Sequence, residues 1–200
     1  MIVIIDYGLG NLTSVANALN KLSIPCQISD NAEVIRQSSG LILPGVGAAG
    51  EGMKNLKTRK LDREITDQVA QGKPLLGICL GMQLLFSSSD EGNVDCLNIV
   101  KGKVKKFETK LKVPQIGWNQ VKVDSKSKLL AEIKDESYFY FVHSYYCDPQ
   151  DKTITTGTTN YDQDFSSVLE TNNVFGVQFH PEKSGEAGLQ ILQNFGKRIC

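Results

Sequence analysis

The sequence predicts an α/β protein with a mostly parallel central sheet, flanked by helices and carrying additional antiparallel strands. Three observations predict it. Short, fully apolar runs alternate with helix-periodic segments through the first eighty residues. Strands that are apolar throughout, rather than on alternate positions, belong to parallel sheets covered on both faces. The middle of the chain then switches to apolar–polar alternation, the mark of half-exposed antiparallel strands. Finally, a buried-type run at residues 173–179 leads into an amphipathic closing helix.

The elements follow in order. "IVII" (2–5) is a β-branched strand. Leu12, Val15, Ala16, Leu19 and Leu22 recur at helical spacing, so a helix follows over 12–22. "PCQIS" (25–29) is a second strand, and Asp30 with Glu33 reads as a capping box opening a short helix. "GLIL" (40–43) is a third strand and runs off into a glycine-rich loop. Over 58–71, Leu61, Ile65 and Val69 share a face, with Gly72 just past the helix end. "PLLGI" (74–78) is the fourth strand, and "LGMQLLF" starts another helix. Residues 97–124 suggest antiparallel strands or an insertion. "SYFYFVHSYY" (137–146) is aromatic and strand-like, and "TITTGTT" with "SSVLET" reads as a hairpin or meander. Ala187, Leu189, Ile191, Leu192 and Phe195 outline the last helix.

Composition narrows the function classes. Of 200 residues, 40% are hydrophobic and 22% charged, and the 22 Lys and Arg balance the 22 Asp and Glu. Nothing overall draws the chain to nucleic acid or to an anionic membrane. "MIVIIDYG" has no basic leader, and no apolar run approaches a membrane span. Five scattered cysteines with no CxxC pair argue against a disulfide framework or zinc knuckle and for reduced thiols in a cytoplasm.

The chemistry-bearing segments come next. "GICLGMQ" places Cys79 between two glycines, after a strand and before a helix, as in a nucleophile elbow. Side chains at the glycine positions would collide with the neighbouring strand and helix, and the helix N-terminus favours thiolate. A buried structural cysteine is the alternative. "GVQFHPEKS" sets His180 and Glu182 two residues apart on an extended segment, where they point the same way: a base with its orienting carboxylate. His143, in "FVHSYY", is the rival base, without a carboxylate within two residues. "LILPGVGAAGEG" can supply backbone N–H donors to an oxyanion but lacks the ending of a P-loop. "DYGLGNLTS" with Asp30 mimics a dinucleotide fingerprint, but Thr13 stands where its third glycine belongs. The basic run at 101–112 reads as a solvated strand face.

Together these motifs resemble the class I (triad) glutamine amidotransferases, in which a Cys on a GxCxGxQ elbow and an HPE segment form a Cys–His–Glu triad. "IDYGLGNLTSV", "LPGVGA", "GICLGMQLLF", "PQIGWNQV", "YFVHSYY" and "GVQFHPEKSGEAGLQIL" cover nearly the whole chain. They resemble the branch of the family that works in histidine biosynthesis as a heterodimer with a (β/α)8-barrel cyclase subunit. "IGWN" and "HPEKSG" discriminate it from the anthranilate and GMP synthase branches. The resemblance implies the class I amidotransferase fold as a single domain over residues 1–200. It implies a glutaminase that hydrolyses L-glutamine to glutamate and ammonia through a cysteinyl thioester, with no metal or cofactor. Cys79 would be the nucleophile, His180 the base and Glu182 its partner. The amides of Val46, Gly47 and Leu80 would form the oxyanion hole. Gln83, Ser144 and Tyr145 would hold glutamine, and Trp118 and Lys183 would face the cyclase. Gln115 stands where relatives often carry His, a departure expected on the partner side. A partner-independent thiol hydrolase of this fold and a dinucleotide-binding module are the alternative classes.

Overall fold

The structure is a computed structural model that describes all 200 residues. Five parallel strands form the base of one sheet: β1 (Ile2–Ile5), β2 (Cys26–Ser29), β3 (Gly40–Leu43), β4 (Leu75–Ile78) and β13 (Val174–Val177), in the order β2-β1-β3-β4-β13. Four of the five are buried at every position, which is why they read as unbroken apolar runs. Their side chains alternate between two cores. Ile2, Ile4, Ile42, Leu76 and Ile78 meet α1 (Leu12–Lys21) and α6 (Gly185–Asn194) through Val15, Leu19, Ile191 and Leu192. Val3, Ile5, Leu41, Leu43 and Leu75 face the opposite layer. That layer is α2 (Ala32–Gln37), α3 (Ala49–Thr58), α4 (Leu61–Ala70) and α5 (Leu80–Leu84).

The sheet continues antiparallel beyond β13 through β12 (Gln163–Thr171), β10 (Tyr145–Pro149) and β7 (Gly102–Lys106); the short β5 (Ser88–Ser89) joins β7 in parallel, and β6 (Val94–Asp95) closes the edge antiparallel to β5. β11 (Thr155–Tyr161) forms the expected hairpin with β12 and leads to β8 (Gln115–Val123), which pairs with β9 (Ser137–His143). Residues 97–124 therefore hold β7 and β8, as the alternation predicts.

Three expectations are corrected. The single helix over 58–71 begins at Leu61, and a separate helix, α3, precedes it, starting within the last residues of the stretch read as a glycine-rich loop. α3 is held by tertiary packing of Met53 and Leu56, not by propensity. The cap of α2 is Asn31, not Asp30: its side-chain oxygen accepts from Glu33 N and Val34 N at 2.8 and 3.3 Å. The run 137–146 is two strands broken at Ser144. β9 pairs with β8 while β10 pairs with β7 and β12, so the break is where the chain changes partners.

The topology has one consequence for function. β3, β4 and β13 are neighbours, and all three end at the same edge. The glycine-rich loop, Cys79 and His180 each follow directly from one of these carboxyl ends, the edge where open α/β sheets bind ligands. No helix is long and apolar enough to cross a membrane.

Candidate active site

Cys79 joins β4 to α5 with φ 53° and ψ −110°, a conformation L-residues rarely adopt. The turn is possible because of its flanking glycines. A Cβ on Gly81 would lie 1.7 Å from the Leu43 carbonyl oxygen, and one on Gly77 would lie 2.7 Å from Met82 N and Cα. Both contacts are with backbone, so neither can relax by moving a side chain. Cys79 N donates to Val177 O at 2.8 Å, tying the elbow to β13.

His180 leaves the end of that neighbouring strand. Its N–H donates to Tyr140 O at 2.9 Å, and Ser184 Oγ donates to His180 O at 2.6 Å while accepting from Tyr140 N at 3.0 Å. These bonds fix the segment against β9. His180 Nδ1 lies 2.9 Å from Glu182 Oε1, with the two side chains only 4% and 1% exposed. Burial alone would push the imidazolium down, but hydrogen bonds to Cys79 and Glu182, with their charges, outweigh it and raise its pKa to about 10. His180 therefore carries its proton at neutral pH. Glu182 Oε2 is buried with no hydrogen-bond partner, an arrangement that a neighbouring imidazolium makes tolerable.

As a thiol, Cys79 can donate to Val142 O at 3.8 Å; Gln178 Nε2 points at its sulfur from 3.7 Å. The other four thiols lack this company. Burial pushes up Cys26, Cys96 (to about 11), Cys147 and Cys200 (to about 12), so all four stay protonated.

A cleft of about 250 Å³ opens over Cys79. Val46, Gly47, Leu80, Gln83, Ser144, Tyr145, His180 and Lys183, all singled out by sequence, line it with Cys79. Glu182 stands behind His180, and Trp118 lies outside on the β8–β9 ribbon, 56% exposed. The N–H groups of Val46, Gly47 and Leu80 donate no hydrogen bond within the protein, as donors awaiting an oxyanion must. Gln83 Nε2 is engaged by Tyr145 O and Gln178 Oε1, both at 3.1 Å, which leaves Gln83 Oε1 as its free polar atom.

His143 also lines the cleft, but both of its ring nitrogens are engaged, by Tyr145 and Gln115. Burial lowers its pKa to about 4, so it is neutral. Nδ1 lies 2.7 Å from the Tyr145 carbonyl and must carry the proton. Nε2 lies 2.8 Å from Gln115 Oε1; a neutral ring that donates through Nδ1 accepts at Nε2, and exchange of the Gln115 amide oxygen and nitrogen supplies the donor. Gln115 is buried against His143, at the start of β8. The dinucleotide-like turn is also occupied: a Cβ on Gly10 would sit 3.3 Å from Gly45 Cα, so its face is packed on protein backbone.

Sequence reasoning missed Glu91, which lines the cleft and accepts from Ala49 N at 2.7 Å. The one available signal was an acidic residue in the turn after the elbow helix. It also missed Gln178, whose contact with Cys79 depends on the register of β13 against β4.

A nucleophile on an elbow, a buried His–Glu pair and free loop amides define an acyl-transfer site. The description "Glutamine amidotransferase class-I" matches residues 3–199, and the chain belongs to that family. Two curated relatives, each called imidazole glycerol phosphate synthase subunit HisH, are similar over nearly their full lengths. That of Moorella thermoacetica is 47% identical over 199 residues, covering 99% of this chain and 95% of the relative. That of Bacillus subtilis is 44% identical over 204 residues, covering 98% and 96%. Among solved structures, a glutamine amidotransferase superposes with a TM-score of 0.77 at 17% identity, over 98% of this chain and all of that one. PurLQS from Thermotoga maritima gives 0.73 at 19%, over 96% and 95%; both speak to fold alone.

The two histidines are expected to titrate far apart. In ¹⁵N NMR one ring should change near pH 4 and the other near pH 10, with neither near 6.5. In Cys79→Ala the upper value should fall, because Glu182 then opposes burial alone.

Proposed function

We propose that the chain is the glutaminase subunit of an imidazole glycerol phosphate synthase, with residues 1–200 acting as one amidotransferase domain in the cytoplasm. The observation that carries the reading is the strained Cys79 elbow set against a protonated His180 backed by Glu182.

The mechanism follows from that pair. Cys79 thiolate attacks the side-chain amide carbon of L-glutamine. The N–H groups of Leu80 and of Val46 or Gly47 stabilise the tetrahedral oxyanion. His180 gives its proton to the amide nitrogen, and the C–N bond breaks to release ammonia. The γ-glutamyl thioester remains on Cys79. Neutral His180 then takes a proton from water, the hydroxide attacks the thioester carbon, and the C–S bond breaks to release glutamate and restore the ion pair. Gln83 Oε1, Ser144 and Tyr145 position the glutamine backbone, and Glu91 is the carboxylate in reach of its ammonium group.

The partner is a cyclase subunit of (β/α)8-barrel form, bound as a heterodimer, which uses the ammonia to make imidazole glycerol phosphate and AICAR. Support comes from the outer face of the β8–β9 ribbon. Ile116, Trp118 and Tyr138 are 61%, 56% and 56% exposed, and their register places Tyr140 opposite Trp118 and Val142 opposite Ile116 on the same face. This aromatic strip is unusual for free surface and runs into the cleft at Val142 and Lys183. Trp118 packs edge-on to Tyr140, the residue whose backbone holds His180 and Ser184, so a partner seated on Trp118 lies one residue from the base.

Cys79→Ala should still form the complex and support ammonia-driven synthesis while losing glutamine-driven synthesis. Surviving glutamine-driven turnover would remove Cys79 from the mechanism. Trp118→Ala should raise the Kd for the cyclase by about 2 kcal/mol, the scale of an interface hot spot, as read by isothermal titration calorimetry. An unchanged Kd would place the partner elsewhere.

A further inference from the structure

We infer that Tyr7 is a positioning residue for the oxyanion loop: its buried hydroxyl pins the Pro44 carbonyl and thereby fixes the anchor of residues 45–47 beside the cleft over Cys79. The inference rests on the glutaminase reading and assigns work to the "DYGLGN" turn, which the chemistry above leaves unused.

Tyr7 is fully buried, and its hydroxyl donates to Pro44 O at 2.8 Å. Burial, and secondarily the charge of Cys79, hold its phenol far above the ordinary pKa, so the group is always a donor. A peptide unit is planar, so holding the Pro44 carbonyl also holds the Gly45 N–H pointing the opposite way. The phenol does more than bond. A Cβ on Gly45 would lie 2.2 Å from the Tyr7 hydroxyl oxygen and 2.9 Å from Leu80 Cβ. Gly45 is therefore wedged between the phenol and the first residue of the elbow helix. Tyr7 sets how closely the loop approaches Leu80, whose own N–H is the other oxyanion donor.

The far end of the loop has its own anchor, the bond from Ala49 N to Glu91 Oε2 at 2.7 Å. Between the two anchors lie only residues 45–48. Val46 is 43% exposed, and the amides of Val46 and Gly47 bond to nothing in the protein. With both ends held, motion is confined to these few peptide planes. Without the Pro44 anchor the whole segment can drift from Leu80, and the two donors no longer converge on one oxygen. Removing an oxyanion donor outright costs about 10²–10³ in kcat. Loosening its support should cost less, about tenfold.

Tyr7→Phe removes one oxygen and keeps the ring that fills the core. In complex with the cyclase subunit, steady-state glutamine hydrolysis by this variant should show kcat about tenfold down and KM within about twofold of wild type. Alkylation of Cys79 by iodoacetamide, which builds no oxyanion, should keep its wild-type rate. Gly45→Ala, whose methyl group displaces the loop from the same hydroxyl, should show the same split between turnover and alkylation. Wild-type kcat in Tyr7→Phe, or alkylation falling in parallel with kcat in both variants, would overturn the inference. Failure of the wild-type complex to hydrolyse glutamine would instead overturn the glutaminase reading.

Discussion

The site hangs on the backbone turn at Cys79. A φ of 53° is unfavourable for a cysteine, and the turn persists because the surrounding structure leaves it no alternative. The Gly81 Cα packs where any side chain would enter the Leu43 carbonyl, and Gly77 packs equally closely on Met82. Close packing of β3, β4 and α5 thus converts core energy into the placement of one sulfur atom. The same packing aligns the ends of β3, β4 and β13, so loop amides, thiol and imidazole meet without any long connection.

The second cost is electrostatic. A carboxylate and an imidazole are nearly sealed from water, and one carboxylate oxygen has no partner. Desolvation of that size is tolerable when the charges face each other, and here three groups do so in series: Cys79, His180, Glu182. The series is anchored through His180 and Ser184 to Tyr140, under the exposed Trp118. Groups that hold His180 therefore lie directly beneath the exposed ribbon face proposed for the partner. In that arrangement a docking event can alter the base without any rearrangement of the sheet.

Much of this was legible in the sequence, for physical reasons. The parallel strands announce themselves because burial on both faces forbids polar residues, and the elbow because only glycine fits beside it. His180 and Glu182 are readable as a pair from their spacing, although Pro181–Lys183 is a 3-10 turn rather than the extended segment that the sequence suggests. α3 was not readable: "AGEGMKNLKT" carries two glycines and few large apolar residues, so its helical state comes from packing and from Glu91 at its N-terminus. Asn31 took the capping role from its neighbour Asp30, a one-residue choice that local pattern does not resolve. Tyr7, Glu91 and Gln178 act across 37, 42 and 99 residues of chain, and Gln115 reaches His143 across 28. Such contacts are set by strand register and loop approach, which no short motif encodes. Gly10 of "DYGLGN" shows the opposite risk, since its close backbone approach to Pro44–Gly45 calls for the same residue as a nucleotide turn.

The proposed nucleophile, Cys79, would carry a γ-glutamyl group during turnover. The direct measurement is acid quenching of the chain turning over glutamine with its cyclase subunit, followed by peptide mapping by mass spectrometry. One glutamyl adduct is expected, on the peptide that contains Cys79, absent when ammonia replaces glutamine. An adduct on Cys26, Cys96, Cys147 or Cys200, or steady glutamine consumption with no adduct on Cys79 in the His180→Asn variant or the wild type, would contradict it.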